Sequence, residues 1–192
     1  GQQAISQKFC NLLHPWDAPP RFESYHPTMH TALSIAGCDP TGGAGLLSDL
    51  QVFRSLGVHG MGVVTALTVQ DSTRVHSTLP VFPSVVLDQL RGLVHDIQPG
   101  AVKTGMLASD DVLRSVALGL SELPETVPVV MDPVLAASDG TVLLENRAWP
   151  ALKDLMERAT LVTPNLIEAQ LLTGIDASTQ RGSEHAAKVF VE

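Results

Sequence analysis

Short apolar runs alternate with amphipathic stretches along the chain from Thr31 to Leu172. The runs are too short to be buried helices, and the stretches between them place apolar residues at helical spacing. Apolar strands separated by helices are typical of a parallel sheet with helices on both faces. The sequence therefore predicts an α/β fold with a mainly parallel sheet. We expect strands at Thr31–Ala36, Gly60–Thr68, Ala101–Thr104, Val127–Met131 and Thr160–Thr163, and helices at Ala44–Leu56, Pro83–Ile97, Asn146–Arg158, Asn165–Leu172 and from the Ser109 cap through Leu120.

The two ends of the sequence differ from this pattern. Residues 1–29 are rich in proline and show no clear period, which predicts an extension or linker. Residues 30–192 are predicted to form the domain. A helical pattern begins at Ser183 and is still running at Glu192, so we expect that the C-terminal part of the domain is missing from this sequence.

Composition excludes several classes of protein. The net charge is -8, and only 12 residues are Lys or Arg, which argues against a nucleic-acid-binding surface. No apolar stretch reaches the roughly 18 residues that a membrane-spanning helix needs. Cys10 and Cys38 are the only cysteines, and neither lies in a zinc-binding spacing. We therefore expect a cytoplasmic protein that contacts neither membrane nor nucleic acid.

The turn between the first strand and the first helix reads GCDPTGGAG, from Gly37 to Gly45. It is not a phosphate-binding P-loop, because Gly43 and Ala44 stand where that loop needs Lys and Ser or Thr. It does not complete the dinucleotide-binding pattern either, because Ser48 takes the place of the third glycine. From the glycines alone, a close approach of a ligand and a tight structural turn are equally good explanations.

Polar residues follow several of the predicted strands. They occur in the segments Thr65–Gln70, Lys103–Met106, Met131–Val134 and Thr163–Glu168. Each has a structural explanation when taken alone; Asn165 and Glu168, for example, have the spacing of a capping box. Because parallel strands end at one edge of a sheet, their joint placement predicts an active-site rim.

These motifs resemble those of the hydroxymethylpyrimidine/phosphomethylpyrimidine kinases of thiamine biosynthesis, which belong to the ribokinase-like superfamily. The resemblance covers Thr31 to about Gly174 and implies a ribokinase-like α/β/α sandwich. On this view, residues 30–192 are the N-terminal two-thirds of the kinase domain. The matching pieces are SIAGCDPTGGAGLLSDLQVF, GVVTALTVQDSTRV, VKTGML, VVMDPV and LVTPNLIEAQLLTG.

The resemblance implies a binding site for a pyrimidine ring. Asp49 would hydrogen-bond the hydroxymethyl side of the substrate, and Gln70 would pair with a ring nitrogen and the amino group. Thr68 would line the site through its backbone. Gly37 and Ala44 would let the ring approach the main chain, and Met106 would pack on it.

The resemblance also implies ATP and Mg²⁺ as cofactors and a homodimer as the assembly. Asp132, Asn165 and Glu168 would lie near the triphosphate and its Mg²⁺, with Glu168 acting through water. Lys103 would supply a positive charge. The reaction would be the ATP-dependent phosphorylation of 4-amino-5-hydroxymethyl-2-methylpyrimidine and then of its monophosphate.

The sequence departs from the family at two places. The lysine that commonly follows the DPV motif is absent, because that segment reads Leu135 to Gly140 without a lysine. The catalytic segment G-T-G-C or G-T-G-D does not occur in these 192 residues, so no catalytic residue is assigned within this chain. We expect negligible turnover from the chain alone. Two alternatives remain open: a pyridoxal kinase of the same superfamily, and a non-catalytic module that binds the pyrimidine.

Overall fold

The computed structural model describes residues 29–190, so the predicted extension at 1–29 lies almost entirely outside the described residues. Within the described residues, six strands and six α-helices follow one another in an order close to the expected alternation. The strands are β1 Thr31–Cys38, β2 His59–Gln70, β3 Val75–Pro80, β4 Ala101–Thr104, β5 Val129–Met131 and β6 Leu161–Val162. The helices are α1 Gly45–Ser55, α2 Pro83–Asp96, α3 Asp110–Ser121, α4 Trp149–Met156, α5 Leu166–Thr173 and α6 Gln180–Val189.

The strands form one sheet in the order β3-β2-β1-β4-β5-β6. All neighbouring pairs are parallel except β2 and β3, which are antiparallel. The register places Ser34 of β1 opposite Lys103 of β4. Strand β1 is central and almost wholly buried, so the residues that follow it lie in the middle of the carboxyl edge.

Helices cover both faces of the sheet, as predicted. Helices α2, α3 and α4 pack on one face and build the main core around Leu33, Met131 and Leu90. Helix α1 packs on the other face, over β1 and β2. It comes close because Gly62 has no side chain: a Cβ there would stand 2.7 Å from Leu46 Cδ1.

One strand was missed by the sequence analysis. Strand β3 pairs with the end of β2 as a hairpin, and the Asp71–Arg74 turn between them is held by the Asp71 side chain. An aspartate that accepts from the main chain two residues later is a recognised turn signal. The segment Val75–Pro80 also alternates poorly between apolar and polar residues, because β3 is a largely exposed edge strand.

The predicted helix ends are mostly confirmed. Ser109 accepts from Val112 N, and Gly174 closes α5 with φ of 73°. The expected helix Asn146–Arg158 is shorter, because a 3₁₀ turn at Asn146–Ala148 precedes α4. Helix α6 begins at Gln180 rather than Ser183, since Thr179 caps it by accepting from Gly182 N.

None of the helices between residues 29 and 190 combines the length and the apolar character that crossing a membrane requires.

Two helical glycines are expected to respond oppositely to alanine. In Gly119→Ala of α3, the new methyl group would collide with Leu90 Cδ2 of α2, which predicts a loss of about 1–3 kcal/mol in the free energy of unfolding. In Gly92→Ala of α2, no atom outside the helix lies within 4 Å, which predicts a gain of about 0.5–1 kcal/mol. Urea unfolding of both variants measures the difference, and equal effects would contradict the described α2–α3 packing.

Candidate functional site

A cavity of about 340 Å³ opens at the carboxyl edge of the sheet. Residues that end or follow β1, β2, β4 and β5 contribute to its wall, as the position of a ligand site in such sheets requires. Its volume is in the range of sites that bind small molecules. The lining residues used below are Gly37, Asp39, Ala44, Thr68, Gln70, Arg74, Lys103, Gly105, Met106, Asp132, Ala137 and Asp139.

A larger groove of about 940 Å³ lies beside β6, between α5 and α6. Its lining is mostly apolar, with charged groups confined to Lys153 and Glu157. The smaller cavity is the better candidate site because carboxylates, a lysine, an arginine and an amide converge on it.

The Gly-rich turn is held together by Asp39. This side chain is only 5% exposed, and its carboxylate accepts from Thr41 N at 2.8 Å, Thr41 Oγ1 at 2.9 Å and Ala44 N at 3.0 Å. Gly45 adopts φ of 57°, and a Cβ there would collide with the carbonyl oxygen of Gly37. The turn therefore needs both the carboxylate and the glycine to fold back on the end of β1.

Met106 packs directly on the bare main chain of Gly37. A Cβ at Gly37 would stand 2.9 Å from Met106 Sδ, closer than real contacts allow. Thr65 Oγ1 donates to Met106 O at 2.6 Å and fixes the backbone of this residue. The thioether and the Gly-rich turn thus form adjoining parts of one wall, which suits a flat apolar face of a ligand.

Behind this wall, Asp49 of α1 joins Ser34 of β1 to Lys103 of β4. Lys103 Nζ donates to both Asp49 oxygens at 2.9 and 3.1 Å, and Ser34 Oγ donates to Asp49 Oδ2 at 2.6 Å. Lys103 lines the cavity, whereas Asp49 does not. The ammonium group also lies close to Gly105, where a Cβ would be 3.2 Å from Nζ.

Two carboxyl groups near the end of β5 are harder to ionise than usual. Burial raises the pKa of Asp132; nearby Lys103 opposes this effect and Asp49 adds to it. Burial also raises the pKa of Glu168, which is 5% exposed and accepts from Asn165 N and Leu135 N. A buried carboxylate is costly, so these groups are suited to meet a cation or a proton.

Two loops that line the cavity, the 71–75 turn and the 136–142 loop, are joined by a hydrogen bond. We call these two loops the roof of the cavity. Asp71 accepts from Thr73 N at 2.8 Å and from His76 Nε2 at 2.8 Å, which shapes the β2–β3 turn. Asp139 Oδ2 accepts from Val75 N at 2.9 Å, although the two residues lie 64 positions apart. The Asp139 carboxylate therefore links the 71–75 turn to the 136–142 loop, and we call this hydrogen bond the latch.

The structure brings most of the predicted site residues to one cavity. The predicted residues that line it are Gly37, Ala44, Thr68, Gln70, Met106, Lys103 and Asp132. Asp49 reaches the wall only through Lys103. Asn165 and Glu168 form both hydrogen bonds of a capping box at the start of α5, and Glu168 also contacts Leu135 N in the loop after β5. The binding roles given to these residues stay predictions.

Contributors that sequence reasoning missed include Asp39, Ser34, Arg74 and Asp139. The Asp-Pro-Thr-Gly order at Asp39 is a turn signal that predicts such a side-chain bond. The role of Ser34 could not be predicted from a single sequence, because a small residue such as serine is often accommodated within an apolar strand without forming a specific contact. The contact of Asp139 with Val75 depends on the missed strand β3.

Among residues 29–190, no cluster of three or more His, Cys, Asp or Glu side chains is arranged to hold a metal ion. Glu168 is buried and Asp132 is half-buried, and the charge of Asp132 contributes to the raised pKa of Glu168. Both oxygens of Glu168 already accept main-chain N–H groups. This donor set fits Mg²⁺ that keeps its own waters, as Mg²⁺ commonly does, and not a fully protein-bound ion.

The fold and the cavity define an α/β protein with a cavity of small-molecule size at the carboxyl edge of its sheet. The sequence profile of the phosphomethylpyrimidine kinase family matches residues 39–192. A hydroxymethylpyrimidine/phosphomethylpyrimidine kinase of Staphylococcus aureus is 39% identical over 161 residues, which are 83% of this chain and 58% of the relative.

Two solved structures that resemble this chain are also kinases. A phosphomethylpyrimidine kinase of Clostridium difficile superposes with a TM-score of 0.77 at 32% identity, over 84% of this chain and 70% of that one. A pyridoxal kinase of Staphylococcus aureus in complex with pyridoxal superposes with a TM-score of 0.75 at 28% identity, over 85% and 61%. The chain belongs to the phosphomethylpyrimidine kinase family, and its fold is the ribokinase-like fold expected from the sequence. It spans about three fifths of the length of the curated relatives it matches.

Asp132→Asn is expected to raise stability at neutral pH. The pKa of Asp132 is raised in the folded protein, so its ionisation opposes folding; this cost is fully present above the raised pKa and falls away as the pH drops toward the ordinary pKa of the unfolded chain. The midpoint of thermal unfolding should exceed that of the wild type at about pH 7, and the difference should shrink as the pH falls toward the ordinary aspartate pKa of about 4. A difference independent of pH, or a less stable variant at neutral pH, would contradict the electrostatic description.

Asp139→Ala is expected to open the roof without unfolding the domain. Loss of the acceptor frees Val75 N, so amide hydrogen exchange should accelerate in residues 72–76, by about tenfold if the bond contributes about 1.4 kcal/mol. The pKa of Asp139 is lowered by the N–H groups of Thr141 and Val75, so protection should be constant from about pH 5 to 8. Asp96→Ala, an exposed aspartate at the end of α2, is the matched control; equal exchange in both variants would refute the latch.

Proposed function

We propose that the protein transfers the γ-phosphoryl group of ATP to the hydroxymethyl group of 4-amino-5-hydroxymethyl-2-methylpyrimidine, and then to the resulting monophosphate. The residues described here supply the pocket for this acceptor. The proposal rests above all on one observation: a cavity with a bare glycine wall, the Met106 thioether and the Gln70 amide, in a chain of the phosphomethylpyrimidine kinase family.

The chemistry of the wall supports a flat heteroaromatic ring. Gly37 and Ala44 present main chain with little or no side chain, and Met106 offers a polarisable surface for stacking. Gln70 carries both a donor and an acceptor at the edge of the cavity, the pair that a ring nitrogen and a neighbouring amino group require. A ligand that lacks these groups would leave the amide unpaired and bind much more weakly.

The charged residues of the cavity support a site for a phosphorylated group. Lys103 and Arg74 contribute positive charge to the lining, which also includes the carboxyl group of Asp132. We assign to Lys103 the neutralisation of a phosphorylated substituent, and to Asp132 and Glu168 the water-mediated orientation of Mg²⁺. ATP supplies the phosphoryl group, and Mg²⁺ neutralises its charge. The residues of this chain hold the acceptor hydroxyl and exclude water from it.

A pyridoxal kinase is the second candidate. The observation in its favour is the close superposition on a pyridoxal kinase that has pyridoxal bound. Pyridoxal also has a ring nitrogen and a hydroxymethyl group, but next to the hydroxymethyl group it carries an aldehyde in place of the amino group. Gln70 can serve either ring by turning its amide, so the identity of the ligand has to be measured. We further propose a homodimer in the cytoplasm, on the basis of the family alone.

The test is isothermal titration calorimetry of the chain with the hydroxymethylpyrimidine and with pyridoxal. We expect tighter binding of the pyrimidine. Gln70→Ala should weaken it by about tenfold or more, because a polar edge of the ligand loses its partner at a cost of about 1–3 kcal/mol.

Gln98→Ala is the matched control, since Gln98 is exposed and lies at the opposite edge of the sheet, next to β4. Its affinity should equal that of the wild type. Tighter binding of pyridoxal would favour the second candidate. Equal affinity of Gln70→Ala and Gln98→Ala would remove the pocket assignment, and binding of neither ring would reject both functions. A longer natural chain that binds the pyrimidine without consuming ATP would identify a non-catalytic binding module.

A further inference from the structure

Ser34 is a polar residue buried in the middle of an apolar strand. It is 0% exposed, and its neighbours Leu33 and Ile35 belong to the core. Burying a hydroxyl group is unfavourable unless it forms a hydrogen bond. Its Oγ donates to Asp49 Oδ2 at 2.6 Å, a length typical of a hydroxyl bonded to a carboxylate.

This bond fixes the orientation of the Asp49 carboxylate. Terminal torsions of aspartate are broad, so α1 alone does not determine where the two oxygens point. Ser34 and Lys103 lie opposite each other on adjacent strands, and the side chain of Asp49 in α1 hydrogen-bonds both. With Ser34 bound to Oδ2, the carboxylate is held from the side of β1 and turned toward β4.

The fixed carboxylate in turn places the ammonium group of Lys103. A lysine has a flexible stem, and its charge takes the position that its partners give it. Both Asp49 oxygens accept from Nζ, and Gly105 leaves the space that Nζ needs. Of these three side chains, only that of Lys103 lines the cavity.

We propose that Ser34 is a positioning residue: through Asp49 it fixes the Lys103 ammonium at the cavity wall and thereby determines how well the pocket holds a phosphorylated ligand. A hydrogen bond from an ammonium to a phosphate is stronger than one to a neutral hydroxyl, so an error in its position affects the phosphorylated ligand more. The choice of ligands rests on the proposed function. The positioning of Lys103 by Ser34 and Asp49 does not depend on the proposed function.

The first test compares dissociation constants for the phosphomethyl and hydroxymethyl pyrimidines, measured by calorimetry on folded variants. Ser34→Ala and Ser34→Cys should weaken binding of the phosphomethyl form by about tenfold and of the hydroxymethyl form by no more than about twofold. Ser34→Thr retains the hydroxyl and should restore the ratio. Ser34→Cys has nearly the size of serine but is a weak donor, so it separates lost packing from the lost bond.

A double-mutant cycle with Lys103→Met separates positioning from general loosening of the fold. Once Lys103 is removed, Ser34→Ala should have no further effect on either ligand. An equal loss for both ligands, or the same loss with and without Lys103, would overturn the proposal.

A second measurement needs no ligand. The order parameter of the Lys103 Cε, from carbon relaxation and assigned by Lys103→Met, should fall in Ser34→Ala toward that of the exposed Lys188 and stay high in Ser34→Thr. If the wild type binds neither pyrimidine, the proposed function fails, and this measurement still decides the role of Ser34. An unchanged order parameter in Ser34→Ala would overturn the positioning role.

Discussion

The buried carboxylate of Asp39 holds together the part of the chain on which the site depends. It accepts three donors within the Gly-rich turn and lets that turn fold back against the carbonyl of Gly37. The same turn ends at Gly45, the first residue of α1. Helix α1 carries Asp49, whose carboxylate contacts Ser34 of the sheet. One compact polar interaction therefore determines the cavity wall and, through the helix it starts, the charges behind that wall. A side chain at Gly45 would break this arrangement, since no displacement of a flexible neighbour could relieve a collision with main chain.

The charges at the cavity illustrate how a small α/β protein keeps ionisable groups in a partly buried place. Asp49 is compensated by Ser34 and Lys103, whereas Asp132 is not fully compensated and has a raised pKa. The uncompensated group faces the cavity, where a ligand or a hydrated cation can complete its environment. Such perturbed groups cluster at functional sites because the stability they cost is offset only when a ligand is bound. Removing one should stabilise the empty protein and damage its function.

The sequence was sufficient for the elements whose signals are local. The alternation of strands and helices, the Ser109 cap and the Asn165–Glu168 capping box are confirmed. Polar residues at the ends of β2, β4 and β5 line one cavity, whereas the predicted rim segment Thr163–Glu168 does not line it. It was insufficient where a residue acts through a distant partner. Strand β3 pairs only at the edge, Ser34 meets Asp49 across a helix–sheet interface, and Asp139 meets Val75 across the cavity. Asp49 itself was predicted as a direct ligand contact. The structure places its carboxylate on Lys103, so its contact with a ligand stays a prediction.

The central claim is that the Gly-rich turn and Met106 form the wall against which a pyrimidine ring binds. A crystal structure of this chain with 4-amino-5-hydroxymethyl-2-methylpyrimidine tests it most directly. The account predicts the ring in the cavity at the carboxyl edge, packed on Met106, with its polar edge at Gln70 and its hydroxymethyl group directed to Lys103. A ring bound in the groove beside β6, or bound in the cavity with its polar edge away from Gln70, would contradict it.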